Sequence, residues 1–227
     1  MKRLMAIVVA GMVVAANAGA SLIAYWDFAD EPGDQESTAG SSVANVAALD
    51  LARGSGLVAN VGSGSINSRG WHTMAADEDY FTFGFTVASG YMVNLQSLAI
   101  RTRSSNTGPG DLGLFYSGDD FTGNLHAFAQ EGEVLLDSII DLRALINLSG
   151  TVEFRIRALS NTRADDSASD ISSTGTFRIA NYDGSGYSGF TGTAIPEPGS
   201  FFVLLAAAVV LAFGRCRHGV GSRFSEA

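Results

Sequence analysis

The sequence predicts an all-β fold, an antiparallel, jelly-roll-like β-sandwich set between an N-terminal signal peptide and a C-terminal transmembrane helix. Three observations predict the sandwich. Short segments alternate apolar and polar residues with a period of two, Gly-, Asn-, Asp- and Pro-rich breaks separate them, and no repeat of fixed period points to a solenoid or propeller. Many short strands joined by such turns bury their apolar faces by pairing two sheets. The chain has 227 residues, a length that suits one domain or two.

In chain order, "MKRLMAIVVAGMVVAANAGA" comes first. Lys2 and Arg3 form a positive start, Leu4 to Ala16 an apolar run, and Ala16-Asn17-Ala18 and Ala18-Gly19-Ala20 two A-x-A exits. That order is the pattern of a secretory signal over residues 1–20, cut after Ala18 or Ala20 by signal peptidase once the Sec machinery has engaged it. The domain then spans residues 21–180.

"SLIAYWDF" opens the domain as a strand, with Trp26 beside Phe28 read as core. In "YFTFGFTV", Phe81, Phe83, Phe85 and Val87 share one face, against Thr82, Gly84 and Thr86 on the other. "LAIRTRS" sets Leu98, Ile100 and Thr102 against Arg101 and Arg103, and "DLGLFY" groups Leu112, Leu114 and Tyr116. "DSIIDLRALINL" mixes strand and helix character. "TVEFRIRA" is the clearest half-buried strand, with Val152, Phe154, Ile156 and Ala158 opposite Glu153, Arg155 and Arg157. "TFRIA" places Phe177 and Ile179 around Arg178. The breaks "NTGPG", "SGDDFTG" and "DGSG" carry turn residues. Residues 181–195 are rich in Gly, Ser and Thr and read as a flexible linker.

The chain closes on "AIPEPGSFFVLLAAAVVLAFGRCRHG". Phe201 to Phe213 is uncharged, and as a helix it would cover roughly 20 Å of a bilayer core about 30 Å thick. Pro196 and Pro198 stop it from extending backwards. Arg215 and Arg217 follow it and would remain cytoplasmic, with snorkelling easing the short span. The expected transmembrane helix covers 201–214, and residues 218–227 form a basic and polar tail.

This end resembles the PEP-CTERM sorting signal of Gram-negative bacteria over residues 196–217. The matching positions are Pro196, Glu197 and Pro198, the apolar run, and Arg215 with Arg217. The resemblance implies that an exosortase reads the signal and cuts near the PEP motif. It also implies an inner-membrane-anchored precursor that ends in the periplasm, on the outer surface or in an extracellular, polysaccharide-rich matrix. The body is similar to the β-sandwich ectodomains found in that family and, more weakly, to laminin-G and concanavalin-A-like sandwiches. The stretches that carry this likeness are "AYWDF", "RSSNTGPGDLGLFYSGDDF", "FRIRALSN" and "GTFRIANYDGSG".

Composition narrows the function. The formal net charge is −9 and several of the 14 basic residues lie in the two ends, so the middle is acidic and unsuited to nucleic acid. The single cysteine, Cys216 in the tail, excludes a disulfide framework or a cysteine metal site in the domain. His72, His126 and His218 are not at zinc-ligand spacing, and no nucleophile elbow is present. Gly184, Gly186 and Gly189 match a dinucleotide glycine pattern without the helix that such a site needs.

The expectation is therefore a non-catalytic exported surface or matrix protein. The alternative is a lectin-like module for exopolysaccharide, with a secreted hydrolase third. Trp71, after a Gly-Ser-rich stretch, is the candidate sugar-stacking aromatic. No cofactor is expected except calcium, for which Asp27, Asp30 and Asp34 in "WDFADEPGD" are the candidate ligands.

Overall fold

A computed structural model describes residues 20–71, 78–167, 169–184 and 186–198. The expected signal run before Ala20, the apolar run 201–214, Arg215, Arg217 and the tail lie outside these residues. So do Ala18 and His72. Among the described residues, no helix is long and apolar enough to cross a membrane.

The chain is all-β, in two sheets that enclose one core. The strands are β1 Ser21–Trp26, β2 Pro32–Gly33, β3 Ser37–Thr38, β4 Gly40–Ser42 and β5 Val46–Arg53. There follow β6 Val58–Ala59, β7 Ser65–Arg69, β8 Tyr80–Val87, β9 Tyr91–Ser104 and β10 Asp111–Tyr116. The last five are β11 His126–Ala129, β12 Leu136–Asp141, β13 Thr151–Ala158, β14 Thr176–Ala180 and β15 Ser188–Pro196. The smaller sheet runs β11-β10-β13-β8-β5-β3, and the larger runs β2-β7-β14-β9-β15-β1-β4, with β12 and β6 pairing on β9 and β7.

Period-two patterning explains the core. Phe81, Phe83 and Phe85 of β8 and Val152, Phe154 and Ile156 of β13 are buried, as the alternation requires. They meet Trp26, Phe177 and Phe190 from the larger sheet. Phe190 lies 4.7 Å from Phe154 and 5.8 Å from Phe83 between ring centroids. The Trp26 indole N–H donates to the Leu49 carbonyl at 2.9 Å, which satisfies its one polar atom. "DSIIDLRALINL" resolves as strand β12 followed by a turn.

Two expectations are corrected here. Residues 181–195 are not a linker. Only 181–187 leave the sheet, and β15 then runs as an interior strand between β9 and β1. Its sequence looks like a linker because its one large inward side chain is Phe190. Its glycines are demanded by close neighbours instead: a Cβ on Gly189 would sit 2.6 Å from the Tyr25 Cβ and 2.7 Å from the Ala24 carbonyl. The second correction concerns Trp71. It is fully buried, 5.4 Å from Phe177, and its indole N–H donates to the Ser68 hydroxyl. It is core and offers no face to a sugar.

Candidate functional site

The larger sheet forks. Strands β14 and β15 lie end to end along the same side of β9, with Ala180 opposite Arg101 and Gly189 opposite Ala99. The chain leaves the sheet after Ala180 and rejoins it at Ser188, and the bulge between them carries Asn181, Gly184 and Tyr187. Beyond the fork, β14 continues into β7 and β15 continues into β1. The gap between the two branches is a cleft of about 430 Å³ on the outer face of the sheet, within the size range of small-molecule sites.

Alternation places the lining. Ile100 and Thr102 of β9 point into the core, as do Phe177 and Ile179 of β14. Arg101 and Arg178 therefore point outward, into the cleft. Tyr25 follows the same rule, since its neighbours Ala24 and Trp26 are buried. Its ring meets that of Tyr187 at 4.7 Å and 40°. Tyr187 lines the cleft and is 45% exposed. Leu135, 47% exposed, adds an apolar patch to the opposite side.

Hydrogen bonds hold the walls. The Asn181 side chain accepts from the Phe28 amide at 2.8 Å and donates to Asp27 Oδ1 at 2.8 Å, tying the bulge to the end of β1. The Gly62 amide donates to the Pro32 carbonyl and the Gly64 amide to the Glu31 carbonyl, each at 2.8 Å, which fixes the wall that carries Ser63. Across the cleft, Arg101 forms a forked pair with Asp137 of β12, at 2.7 Å from Nε and 2.5 Å from Nη2. Asp137 also accepts the Asp183 amide at 2.9 Å. Gly184 closes the turn at φ +72°, and a Cβ there would lie 2.7 Å from Arg101 Nη1.

The charges are unevenly paired. The Arg101 guanidinium holds the Asp137 carboxyl below the usual carboxylate range, and Asp137 raises Arg101 in turn. Arg103, on the same outer face, pairs with Glu133. Among the described residues, Arg178 has no comparable ion pair. Its Nε is buried without a hydrogen bond. Burial, and then the like charge of Arg103, push its pKa down, while Glu133 gives a weaker opposing pull.

The predicted site residues separate. Asp27 lines the cleft, but Asn181 and the Ala29 amide occupy its carboxylate and lower its pKa. Asp30 is exposed on the same loop outside that lining, and Asp34 lies further on, near Arg53. Among the described residues, no three His, Cys, Asp or Glu side chains gather into a metal-holding group. Ala20 is exposed immediately before β1. Pro196 is the last residue of β15, opposite Tyr91, and the Glu197 amide donates to the Gly90 carbonyl at 2.8 Å. His126 packs edge-on to Phe128.

Sequence reasoning missed Tyr187, Tyr25, Arg101 and Arg178 as site residues. The outward arginines of the two alternating strands were a usable signal, but nothing in the sequence shows that β14 and β15 share one side of β9.

No family model matches the chain, and no curated protein matches it. Among solved structures it is similar to a family 29 carbohydrate-binding module, with a TM-score of 0.40 and 10% identity over 77% of this chain and 88% of that one. It is also similar to a CBM29-2 variant complexed with mannohexaose, with a TM-score of 0.39 and 8% identity over 77% of this chain and 92% of the other. Both likenesses are distant, so the architecture above rests on this chain's own strands and the site on its own residues.

Proposed function

We propose that this chain is an exported, non-catalytic surface or matrix protein whose sandwich binds polysaccharide in the cleft between the two branches of the larger sheet. The N-terminal run directs export through the Sec machinery, and cleavage after Ala18 or Ala20 leaves a chain that starts at or just before β1. The C-terminal run anchors a precursor in the inner membrane, and an exosortase cuts near Pro196-Glu197-Pro198. The run of charge-free residues between prolines and arginines supports the anchor. The close fit between the A-x-A exits and the start of β1 at Ser21 supports the signal.

The observation that carries the glycan reading is the Tyr25–Tyr187 pair, whose Tyr187 lines the same cleft as Arg101 and Arg178. A pyranose has an apolar C–H face and a polar hydroxyl rim. An exposed tyrosine ring covers the first, and planar donors held at the cleft wall satisfy the second. The ring of Tyr187 is already braced by Tyr25, so little side-chain freedom is lost when a sugar stacks on it.

The test is retention of the full chain, in mild detergent, on a panel of immobilised extracellular polysaccharides. At least one polysaccharide should retain it, and Tyr187→Ala should weaken that retention by roughly tenfold, the scale of one lost anchor side chain. Equal retention of both proteins, or none on any polysaccharide, overturns the glycan reading. For the sorting half, the intact mass of the mature protein decides. A mass that retains residues 199–227 in wild-type cells overturns processing at the motif.

A further inference from the structure

We infer that the cleft takes an acidic sugar, a glycan unit bearing a carboxylate or a sulfate ester, and that Arg178 is the residue that reads the anion. The inference rests on the glycan reading above and adds the chemical class of the ligand.

The three outward arginines of β9 and β14 differ in their pairing. Arg101 is matched by Asp137, with Asp183 3.9 Å away, and Arg103 is matched by Glu133. Arg178 forms none of these pairs, although its Nε is fully buried. A guanidinium kept partly out of water, next to another cation and short of a hydrogen-bond partner, is destabilising as it stands. An oxyanion entering the cleft meets the part of the Arg178 side chain that lines it and supplies the counter-charge that Arg101 and Arg103 already have, because a carboxylate or sulfate offers paired oxygens to the outer guanidinium nitrogens. The neutral part of the same sugar then lies toward Tyr187, across the cleft.

The rest of the chain limits the ligand further. With a net charge of −9, the protein repels a polyanion at long range. Recognition is therefore a short-range event at one half-buried cation, unlike the broad basic surface that binds nucleic acid. Screening should then leave binding unchanged or improve it between about 0.01 M and 0.15 M salt, because the repulsion acts over a Debye length and the half-buried pair is screened less.

The experiment uses the full chain in non-ionic detergent, with affinity electrophoresis through gels containing polygalacturonate, dextran sulfate or uncharged dextran. One or both acidic polymers should retard the wild type more than dextran does. Arg178→Gln should lose that excess by roughly tenfold or more, the scale of a charge-assisted hydrogen bond, and Arg178→Lys should recover part of it. Thermal melting of Arg178→Gln should match or exceed the wild type, since the variant removes an unpaired half-buried charge. Retardation by polygalacturonate alone assigns a carboxylate, and by dextran sulfate alone a sulfate ester.

Three results overturn the acidic-sugar inference: equal retardation of wild type and Arg178→Gln by the acidic polymers, dextran binding as tight as theirs, or a steep loss of binding over the stated salt range. Of these, tight dextran binding that depends on Tyr187 leaves the glycan reading standing. Absence of retardation by both acidic polymers also overturns the acidic-sugar inference, and together with no retention in the wider panel it removes both readings.

Discussion

The Arg101–Asp137 pair holds the bulge 181–187 against β12, because the same carboxylate that receives the guanidinium also receives the Asp183 amide. The folded pKa of Asp137 is depressed, first by the Arg101 hydrogen bond. Its contribution is therefore complete above its unfolded value of about 3.9 and is lost as the pH falls through the depressed folded value. Both groups are partly exposed, so the pair contributes no more than about 1 kcal/mol to global stability. Its effect is local. Asp137→Asn should speed hydrogen exchange at the Asp183 amide at pH 7 while moving the melting temperature little, and the wild type should approach the variant's behaviour only in strong acid. An unchanged Asp183 amide in the variant would show that Asp137 does not hold the bulge. Single residues of this site were poorly legible in the sequence. Trp71 drew attention because it follows a loop-like stretch, yet its ring lies against Phe81 and Phe177. Tyr187, in a run of glycine and serine, is an aromatic exposed at the cleft.

At the scale of elements, strand β15 ties β9 to β1 and closes the aromatic core. Phe190 contacts Trp26, Phe83, Phe85 and Phe154, and the strand pairs with β9 from Gly189 to Pro196 and with β1 from Ser188 to Gly192. Deleting it leaves the backbone groups of two interior strands unpaired and opens the aromatic cluster. Either loss alone costs several kcal/mol, comparable with the roughly 5–15 kcal/mol that holds a domain together. A chain truncated after Ala180 should therefore be insoluble or unfolded by circular dichroism, whereas one truncated after Pro198 should melt cooperatively. A folded domain from the shorter chain would contradict the interior position of β15. Strands β8 and β13 were legible because large apolar residues occupy every inward position. β15 was not, because its inward face carries one large side chain, and its glycines answer contacts with Tyr25 and with the backbone of β9. β7 was equally silent, since its buried residues include Ser65, Asn67 and Ser68.

At the scale of the whole molecule, β15 separates the cleft from the route toward the C-terminus. The bulge that carries Asn181, Gly184 and Tyr187 enters β15 at Ser188, and Pro196-Glu197-Pro198 leaves it at the other end. Nine extended residues put roughly 26 Å between the two ends of the strand. The motif is also stitched to the sheet, through Pro196 opposite Tyr91 and the Glu197 amide on Gly90. Only Pro198, Gly199 and Ser200 then separate the last of these contacts from the apolar run that begins at Phe201. If that run anchors the precursor as proposed, the short connection keeps the motif end of β15 toward the bilayer and the cleft away from it. Anchoring and glycan binding would then be independent, and the precursor could hold polysaccharide before it is released. The comparison is between the full chain reconstituted in neutral phosphatidylcholine vesicles and the chain ending at Pro198 in solution. Their affinities for a retained polysaccharide should agree within about twofold, since neither form covers the cleft and neutral lipid adds no surface field. A tenfold weaker affinity on the vesicle would mean that the membrane reaches the cleft, and would overturn this orientation of the sandwich.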